Sequence, residues 1–188
     1  MKLKYSAFAI AILCALSELS RAERSYTVKN EGVEHFNGFK ETKFHMSEIK
    51  LIGRQRLLNG TITFDEDMAS DHYKVQVELF SSPQGDDQFK RLPMGVPRTP
   101  ICEGIKGYYG QVLQPSFIQG KITNFPVVTQ AGLCPIPKGE YYIKNLEFDT
   151  ESWPNQIPRG IIKGVLTIFK DELSVGGGAF YLRVEDRD

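Results

Sequence analysis

The chain has 188 residues, and its 23 basic and 23 acidic side chains give a formal net charge of zero. Only 24% of the residues are charged, and no long basic run is present. A neutral chain without a basic patch argues against nucleic-acid binding and against electrostatic docking to a membrane surface.

Residues 1–22 have the features of a secretory signal peptide. Lys2 and Lys4 precede an apolar run from Tyr5 to Leu16, and Ser20-Arg21-Ala22 places small residues at a cleavage position. The apolar run is about a dozen residues, shorter than the roughly 20 that a membrane-spanning helix needs. We therefore expect a secreted, extracellular protein whose residues 23–188 form a single domain, in which 20 basic and 22 acidic side chains remain.

Residues 55–65 alternate between apolar and polar side chains, which predicts a half-buried strand. Asn59 falls on the polar face of this strand, opposite Leu58, Ile62 and Phe64. Asn59-Gly60-Thr61 is also an acceptor sequence for N-linked glycosylation, and a glycan must lie outside the core. Both signals predict an outward-facing, glycosylated Asn59.

Similar patterns predict further strands, which lie at residues 25–29, 46–52, 73–80, 122–128, 140–148, 160–170 and 179–186. The acidic residues 65–71 are interpreted as the connection between two adjacent antiparallel strands. Residues 81–98 are rich in proline and glycine and are predicted to form a long loop.

A short helix or helical turn is predicted near residues 103–117, within an apolar segment that begins at Ile101. Gly104, Gly107 and Gly110 each weaken a regular helix by about 1 kcal/mol relative to alanine, so we expect it to be broken. The run Gly176-Gly177-Gly178 is interpreted as a turn or bulge at the start of the last strand. It lacks the lysine and the following helix of a phosphate-binding loop.

Two cysteines, Cys102 and Cys134, remain after removal of the leader, which contains Cys14. An even pair in an oxidising compartment predicts a disulfide, which would stabilise the fold by roughly 3–4 kcal/mol through closure of a loop of about 33 residues. A metal site or a catalytic thiol would need neighbouring ligands or a Cys-x-x-Cys spacing, and neither is present.

These elements amount to six to eight short strands with long loops and little helix. The pattern predicts an all-β fold, an antiparallel sandwich of two sheets.

Catalytic and metal-binding signals are weak. His35, His45 and His72 do not have the spacing of a zinc site, and no Gly-x-Ser-x-Gly motif is present. We therefore expect a protein that is not an enzyme and that uses no metal and no cofactor.

Aromatic residues are frequent in the last third of the chain. They are Tyr141, Tyr142, Phe148, Trp153, Phe169, Phe180 and Tyr181. Such residues fill the core of a sandwich, and they also line apolar ligand pockets of about 300–1,000 Å³. Periodicity does not distinguish a filled core from a hollow one.

The segment from Cys134 to Asn145, CPIPKGEYYIKN, resembles the signature of an insect family of secreted proteins, the DUF1091 group. The pattern Trp153-Pro154-x-x-Ile157-Pro158-x-Gly160 and the ending Val184-Glu185-Asp186-Arg187 resemble the chemosensory protein B branch of that group. The likeness extends from about Leu51 to the end of the chain.

That group is similar to the GM2-activator and MD-2-related lipid-recognition proteins. The resemblance implies a β-cup of two antiparallel sheets around a lipid-accessible cavity, and expression near taste or pheromone-sensing neurons. GM2-activator proteins have several disulfides, whereas the mature chain here can form one.

The leading hypothesis is a binding protein for a small apolar ligand, a lipid or hydrocarbon pheromone, in contact chemosensation. The residues predicted to form the pocket wall are Val77, Leu79, Leu146, Phe148, Leu166 and Ile168. Trp153 and Ile157 are predicted to form its rim, in a proline-bounded loop with exposed aromatics. Within residues 140–148, the inward set is left open between Tyr142 with Leu146 and Phe148, and Tyr141 with Ile143.

The alternative is a solid sandwich that acts as an extracellular interaction module or co-receptor without a ligand. In either case, a membrane receptor of a sensory neuron is a candidate partner.

Overall fold

The computed structural model describes residues 24–187, in which two antiparallel sheets and one short helical segment form a β-sandwich. The strands are β1 (Tyr26–Phe36), β2 (Phe44–His45), β3 (Lys50–Ile52), β4 (Leu57–Phe64), β5 (Tyr73–Ser82), β6 (Lys90–Pro100), β7 (Gly139–Leu146), β8 (Gly160–Lys170) and β9 (Leu173–Asp186). The predicted all-β class is confirmed. The predicted signal peptide, residues 1–22, lies outside the described residues.

The first sheet has the strand order β1-β9-β8-β5-β6, and all neighbouring strands are antiparallel. Strands β5 and β8 pair over ten residues, from Tyr73 with Lys170 to Ser82 with Ile161. The alternating pattern of residues 73–80 and the apolar run of residues 160–170 therefore predicted two of its inner strands. The predicted edge strand at residues 25–29 is present as the longer β1.

The second sheet is built around β4, which pairs with β7 on one side and with β2 and β3 on the other. The prediction of a single strand at residues 46–52 is wrong. Met46 and Ile49 lie in the short segment that connects β2 to β3, and both are buried. The Ile49 N–H donates a hydrogen bond of 3.1 Å to the Met46 carbonyl. At Gly60, an added Cβ would lie 2.1 Å from the Glu48 carbonyl oxygen, so glycine allows this turn to close over β4.

Residues 65–71 connect the two sheets, because β4 lies in the second sheet and β5 in the first. The prediction that these residues join adjacent strands was wrong. Strand pairing depends on contacts that are distant in sequence, which local alternation does not encode. The strand predicted at residues 122–128 is also absent, although Thr123 forms single bridges with Gln119 and Ile143.

Strand β6 occupies the second half of the segment that was predicted to be a loop, residues 81–98. Its prolines do not prevent strand formation because β6 pairs only with β5 in this sheet and leaves its other side unpaired.

The helical segment is broken, as the glycines predicted. It consists of α1 (Ile101–Gly104), a π-helix (Ile105–Leu113) and a 3₁₀ turn (Gln114–Ser116). The predicted disulfide between Cys102 and Cys134 is confirmed, with the two Cα atoms 5.4 Å apart. It joins α1 to the loop that precedes β7.

The triple glycine lies inside β9, because this strand begins at Leu173 and not at residue 179. All three glycines pair regularly with β8, so the prediction that they form a turn or bulge at the start of the strand was wrong. The register shift lies just before them, where Val175 has no partner between Ile168 and Phe169. An added Cβ at Gly176 would lie 2.2 Å from the Phe44 carbonyl oxygen of β2. These glycines therefore allow the second sheet to approach β9 closely.

Candidate ligand-binding groove

Four of the predicted wall residues share one face of the first sheet. Val77 pairs with Leu166, and Leu79 and Ile168 occupy alternate positions along the same two strands. Leu166 and Ile168 pack in a core cluster that also contains Phe64 of the second sheet. This face therefore points toward the second sheet.

The centre of this face is less buried than its ends. Val75 and Ile162 are buried at opposite ends of the β5–β8 pair, whereas Val77, Leu79 and Leu166 between them are half-buried. In a fully closed sandwich, the centre of an inner sheet face would be its most buried part. The second sheet therefore leaves the middle of the first sheet partly uncovered.

Strand β6 bends away from β5 at the same place. Val96 pairs with Val77, and Arg91 pairs with Phe80. Between these pairs, the three residues Leu92–Met94 lie opposite the single residue Leu79, since Gly95 still pairs with Glu78. Such a bulge interrupts the ladder and bends the strand.

A groove of about 600 Å³ lies along this part of β5 and β6, within the range of about 300–1,000 Å³ that is typical of small-molecule sites. Its residues are Gln76, Val77, Glu78, Arg91, Leu92, Pro93, Met94, Gly95, Val96 and Pro97. The two charged side chains, Glu78 and Arg91, form an ion pair of 3.0 Å. The groove thus combines an apolar surface with balanced charge.

A second groove of about 440 Å³ lies between the helical segment and residues 128–130. Glu103, Lys106 and Gln111 contribute to it, and Val128 is its largest apolar side chain. It is therefore less suited to an apolar ligand than the groove along β5 and β6.

Aromatic rings fill another part of the interior. The rings of Phe44, Phe64, Tyr141, Phe125, Tyr109, Phe117, Phe148, Trp153 and Phe180 form one connected network. Their centroid distances range from 4.9 Å for Phe125 with Tyr141 to 6.5 Å for Phe148 with Phe180. Burial of Tyr109 in this network raises the pKa of its hydroxyl. Two predicted wall residues, Leu146 and Ile168, are buried in the same core cluster, so this part of the sandwich is solid.

The predicted rim residues lie at the far end of the first sheet. Trp153 and Ile157 pack against a second core cluster that includes Tyr26 and Leu182, and Leu92 of the groove packs against the same cluster. Trp153 is half-buried rather than exposed, because its ring also contacts Phe148 at 5.8 Å.

A bulge in β7 resolves the question of its inward face. Tyr141 and Ile143 are buried, and Leu146 is also buried because Lys144 and Asn145 together oppose Asn59. Both alternatives were therefore partly right. Asn59, the predicted glycosylation site, is half-buried, and its Oδ1 accepts a hydrogen bond of 3.0 Å from the Asn145 N–H.

Two histidines form hydrogen bonds with aspartates. His45 lies 2.9 Å from Asp65, and His72 lies 2.9 Å from Asp171, whose hydrogen bond raises the pKa of the exposed His72. Within residues 24–187, no group of three or more histidine, cysteine, aspartate or glutamate side chains is arranged to hold a metal ion. No helix in this range is long and apolar enough to cross a membrane.

Leu92, Met94 and Val96 were missed by the sequence analysis. They alternate with Pro93, Gly95 and Pro97, which is a period-two pattern. The proline and glycine residues led to the prediction of a loop, although an edge strand tolerates both.

No curated protein matches this chain significantly. Residues 75–163 match the model of a family described as a protein of unknown function, DUF1091. The matched region includes most of β5, all of β6 with the groove, the helical segment, both bridged cysteines and β7. The similarity to this family therefore extends over just under half of the chain.

Proposed function

We propose that this protein is a non-enzymatic binder of a small apolar ligand, a lipid or hydrocarbon, in the groove along β5 and β6. The observation that carries the proposal is the partly uncovered centre of the first sheet. Val77, Leu79 and Leu166 are half-buried there, beside a groove of about 600 Å³.

Desolvation of the ligand would drive binding. Each methylene group that leaves water contributes about 0.8 kcal/mol, from which the costs of immobilising the ligand and ordering the groove are subtracted. Glu78 and Arg91 already neutralise each other at the groove, so a neutral ligand would leave no charge unpaired.

The proposal places this binding outside the cell, in contact chemosensation, with a receptor of a sensory neuron as the candidate partner. Three features support it: the signal-like residues 1–22, the disulfide between Cys102 and Cys134, and the resemblance of residues 134–145 to the chemosensory protein B branch.

A second candidate function is that of an extracellular interaction module. Tyr108, Ile118 and Val127 are each about half-exposed (45%, 50% and 47%) on the helical segment and the loop after it. Exposed apolar side chains of this kind are common at protein–protein contacts. These side chains would contact a receptor even if the groove held no ligand.

Protein secreted from insect cells can be tested for ligand binding by native mass spectrometry and by uptake of a fluorescent fatty acyl probe. Met94 lines the groove and is 42% exposed, so Met94→Glu should place a charge at the groove without disturbing the core. We expect about tenfold weaker probe binding, which corresponds to a loss of about 1.4 kcal/mol. Leu173→Glu is the matched control, since Leu173 is 40% exposed and lies at the start of β9, outside the groove.

A protein that contains no copurified lipid and takes up no probe would contradict the proposal and favour the interaction module. Equal probe binding by the Met94→Glu and Leu173→Glu variants would contradict the assignment of the ligand to this groove.

A further inference from the structure

Lys90 and Arg91 are the only lysine or arginine residues in the chain that are adjacent to each other. They are the first two residues of β6, directly after the largely exposed hairpin loop of residues 83–89. Both residues are exposed, and the Arg91 side chain is 66% accessible. Exposed loop ends are preferred sites of proteolysis, and a basic pair is the sequence that dibasic-specific endoproteases cleave on its carboxyl side.

The backbone around Arg91 is open to a protease along one edge. Strand β6 pairs only with β5 in the first sheet, so its other edge is unpaired. Endoproteases bind their substrates as extended strands, through main-chain hydrogen bonds like those of a strand added to a sheet edge. The prolines of β6 all follow the Arg91–Leu92 bond, so Lys90 and Arg91 keep their N–H groups for such contacts.

The pairing with β5 is interrupted directly after Arg91. Arg91 pairs with Phe80, whereas the three residues Leu92–Met94 lie opposite the single residue Leu79. Cleavage of a folded chain requires local opening around the bond, and opening costs least where regular pairing is already lost. The ion pair of Arg91 with Glu78 lies at the surface and should oppose opening by less than about 1 kcal/mol.

A cut at this bond would leave the fold connected. Strands β1, β4 and β5 precede the bond, and they pair with β9, β7 and β8, which follow it. Both bridged cysteines lie after the bond, so the disulfide does not join the two fragments. Strand pairing would therefore hold the fragments together, and cleavage would give a two-chain protein.

We propose that the Arg91–Leu92 bond is a processing site for a secreted dibasic-specific serine endoprotease. Hydrolysis adds the hydroxyl of water to the Arg91 carbonyl carbon and its hydrogen to the Leu92 nitrogen. The acid then transfers its proton to the amine, which leaves a carboxylate on Arg91 and an ammonium group on Leu92. Since Leu92 lines the groove along β5 and β6, processing adds a charge there and releases residues 92–94 from the hairpin.

The test treats the purified mature protein with kexin, a dibasic-specific serine endoprotease. Intact mass and denaturing electrophoresis identify the fragments, and gel filtration shows whether they stay together. We expect residues 23–91 and 92–188 as the first products, eluting together in a single peak at the volume of the uncut protein.

Two variants serve as controls. Arg91→Gln removes the side chain that the protease binds beside the cleaved bond, so cleavage should slow about a hundredfold, as loss of a buried charge contact predicts. Asp171→Arg places an arginine next to Lys170, in the turn between β8 and β9. Asp171 and Glu172 have φ angles of 48° and 67°, so this turn is not extended. Cleavage there should be at least about tenfold slower than at Arg91.

Urea denaturation of both variants identifies any rate change that is caused by lost stability. An intact chain, or a first cut at another bond, would overturn the processing site and leave the proposed ligand-binding function untouched. Equal cleavage rates at Arg91 and at the arginine of Asp171→Arg would also overturn it, because cleavage would then follow global unfolding. Fragments that separate on gel filtration would contradict the two-chain product.

Discussion

Met46, which directly follows β2 of the second sheet, lies against Gly178 of the first, so that an added Cβ at Gly178 would be 2.5 Å from Met46 Sδ. The same Cβ would be 2.4 Å from the Glu34 carbonyl oxygen of the neighbouring strand β1. The two sheets therefore meet closely at β9, while the edge formed by β5 and β6 stays partly uncovered. This asymmetry gives the sandwich its groove.

We expect Gly178→Ala to lower the free energy of unfolding by about 1–3 kcal/mol, because there is no room for the added methyl group where the two sheets meet. Urea denaturation measures this change. Gly107→Ala is the control, since apart from its chain neighbours and its own helix backbone, no described residue lies within 4 Å of an added Cβ there. We expect it to be neutral or slightly stabilising. Equal stability of the two variants would show that the sheets are not in close contact at Gly178.

Asn30 links the two sheets through its side-chain amide. Its Nδ2 donates to the Leu146 carbonyl and to the Arg56 carbonyl, each over 3.0 Å. Asn30→Leu leaves the buried Leu146 carbonyl without this donor, so we expect a loss of about 1–3 kcal/mol in unfolding free energy. Thermal and urea denaturation measure it, with Asn155→Leu in an exposed loop as the control. A loss no larger than that of the control would mean that this link contributes nothing to stability.

Glu66 should make the free energy of unfolding depend on pH in the acid range. Hydrogen bonds from Lys170, at 2.5 Å, and from the Tyr73 hydroxyl hold the pKa of this carboxyl below its usual value of 4.5. A lowered folded-state pKa stabilises the fold at neutral pH, and this contribution is lost as the pH falls below the usual value of 4.5 and through the folded-state pKa. The contribution should stay below about 1 kcal/mol because the side chain is partly exposed.

Urea denaturation between pH 7 and pH 3 tests this expectation with Glu66→Gln. The variant should be less stable than the unmodified protein at pH 7, and the difference should vanish at the acid end. Glu147→Gln, at an exposed position, serves as the control. A difference for Glu66→Gln that stays constant over this range would rule out the titration of Glu66 as its cause.

Glycosylation of Asn59 is compatible with its hydrogen bonds. The Nδ2 group donates one hydrogen to the Leu57 carbonyl over 3.3 Å, so its second hydrogen is available for replacement by a sugar. We expect protein from insect cells to lose mass on treatment with an N-glycosidase. Thr61→Val, which removes the acceptor sequence and keeps Asn59, should abolish this change.

The stability of the two possible sequon variants gives a further check. Thr61→Val retains the bond from the Asn145 N–H to Asn59 Oδ1, whereas Asn59→Gln should displace it. In unglycosylated protein, Asn59→Gln should therefore be the less stable variant. An unchanged mass after glycosidase treatment would contradict glycosylation at this site.

Local sequence patterns identified the strands that have one apolar and one polar face. They also identified the segment that cannot form a regular helix. The alternation of residues 73–80 predicted most of β5, and the spacing of Gly104, Gly107 and Gly110 predicted the broken helix. The pairing of Cys102 with Cys134 followed from their number. These features depend on the periodicity of apolar side chains, on the conformational freedom of glycine and on the number of cysteines. All three can be read from the sequence itself.

The partition of strands between the sheets was decided by tertiary structure. Residues 65–71 looked like a connection within one sheet, but β4 pairs with β7 and β5 pairs with β8, across about 80 to 100 residues of sequence. The prolines of β6 led to the prediction of a loop, although a strand at the edge of a sheet tolerates proline. The groove exists because β6 bulges opposite Leu79 and the second sheet meets the first mainly at β9, and both conditions depend on contacts between distant parts of the chain.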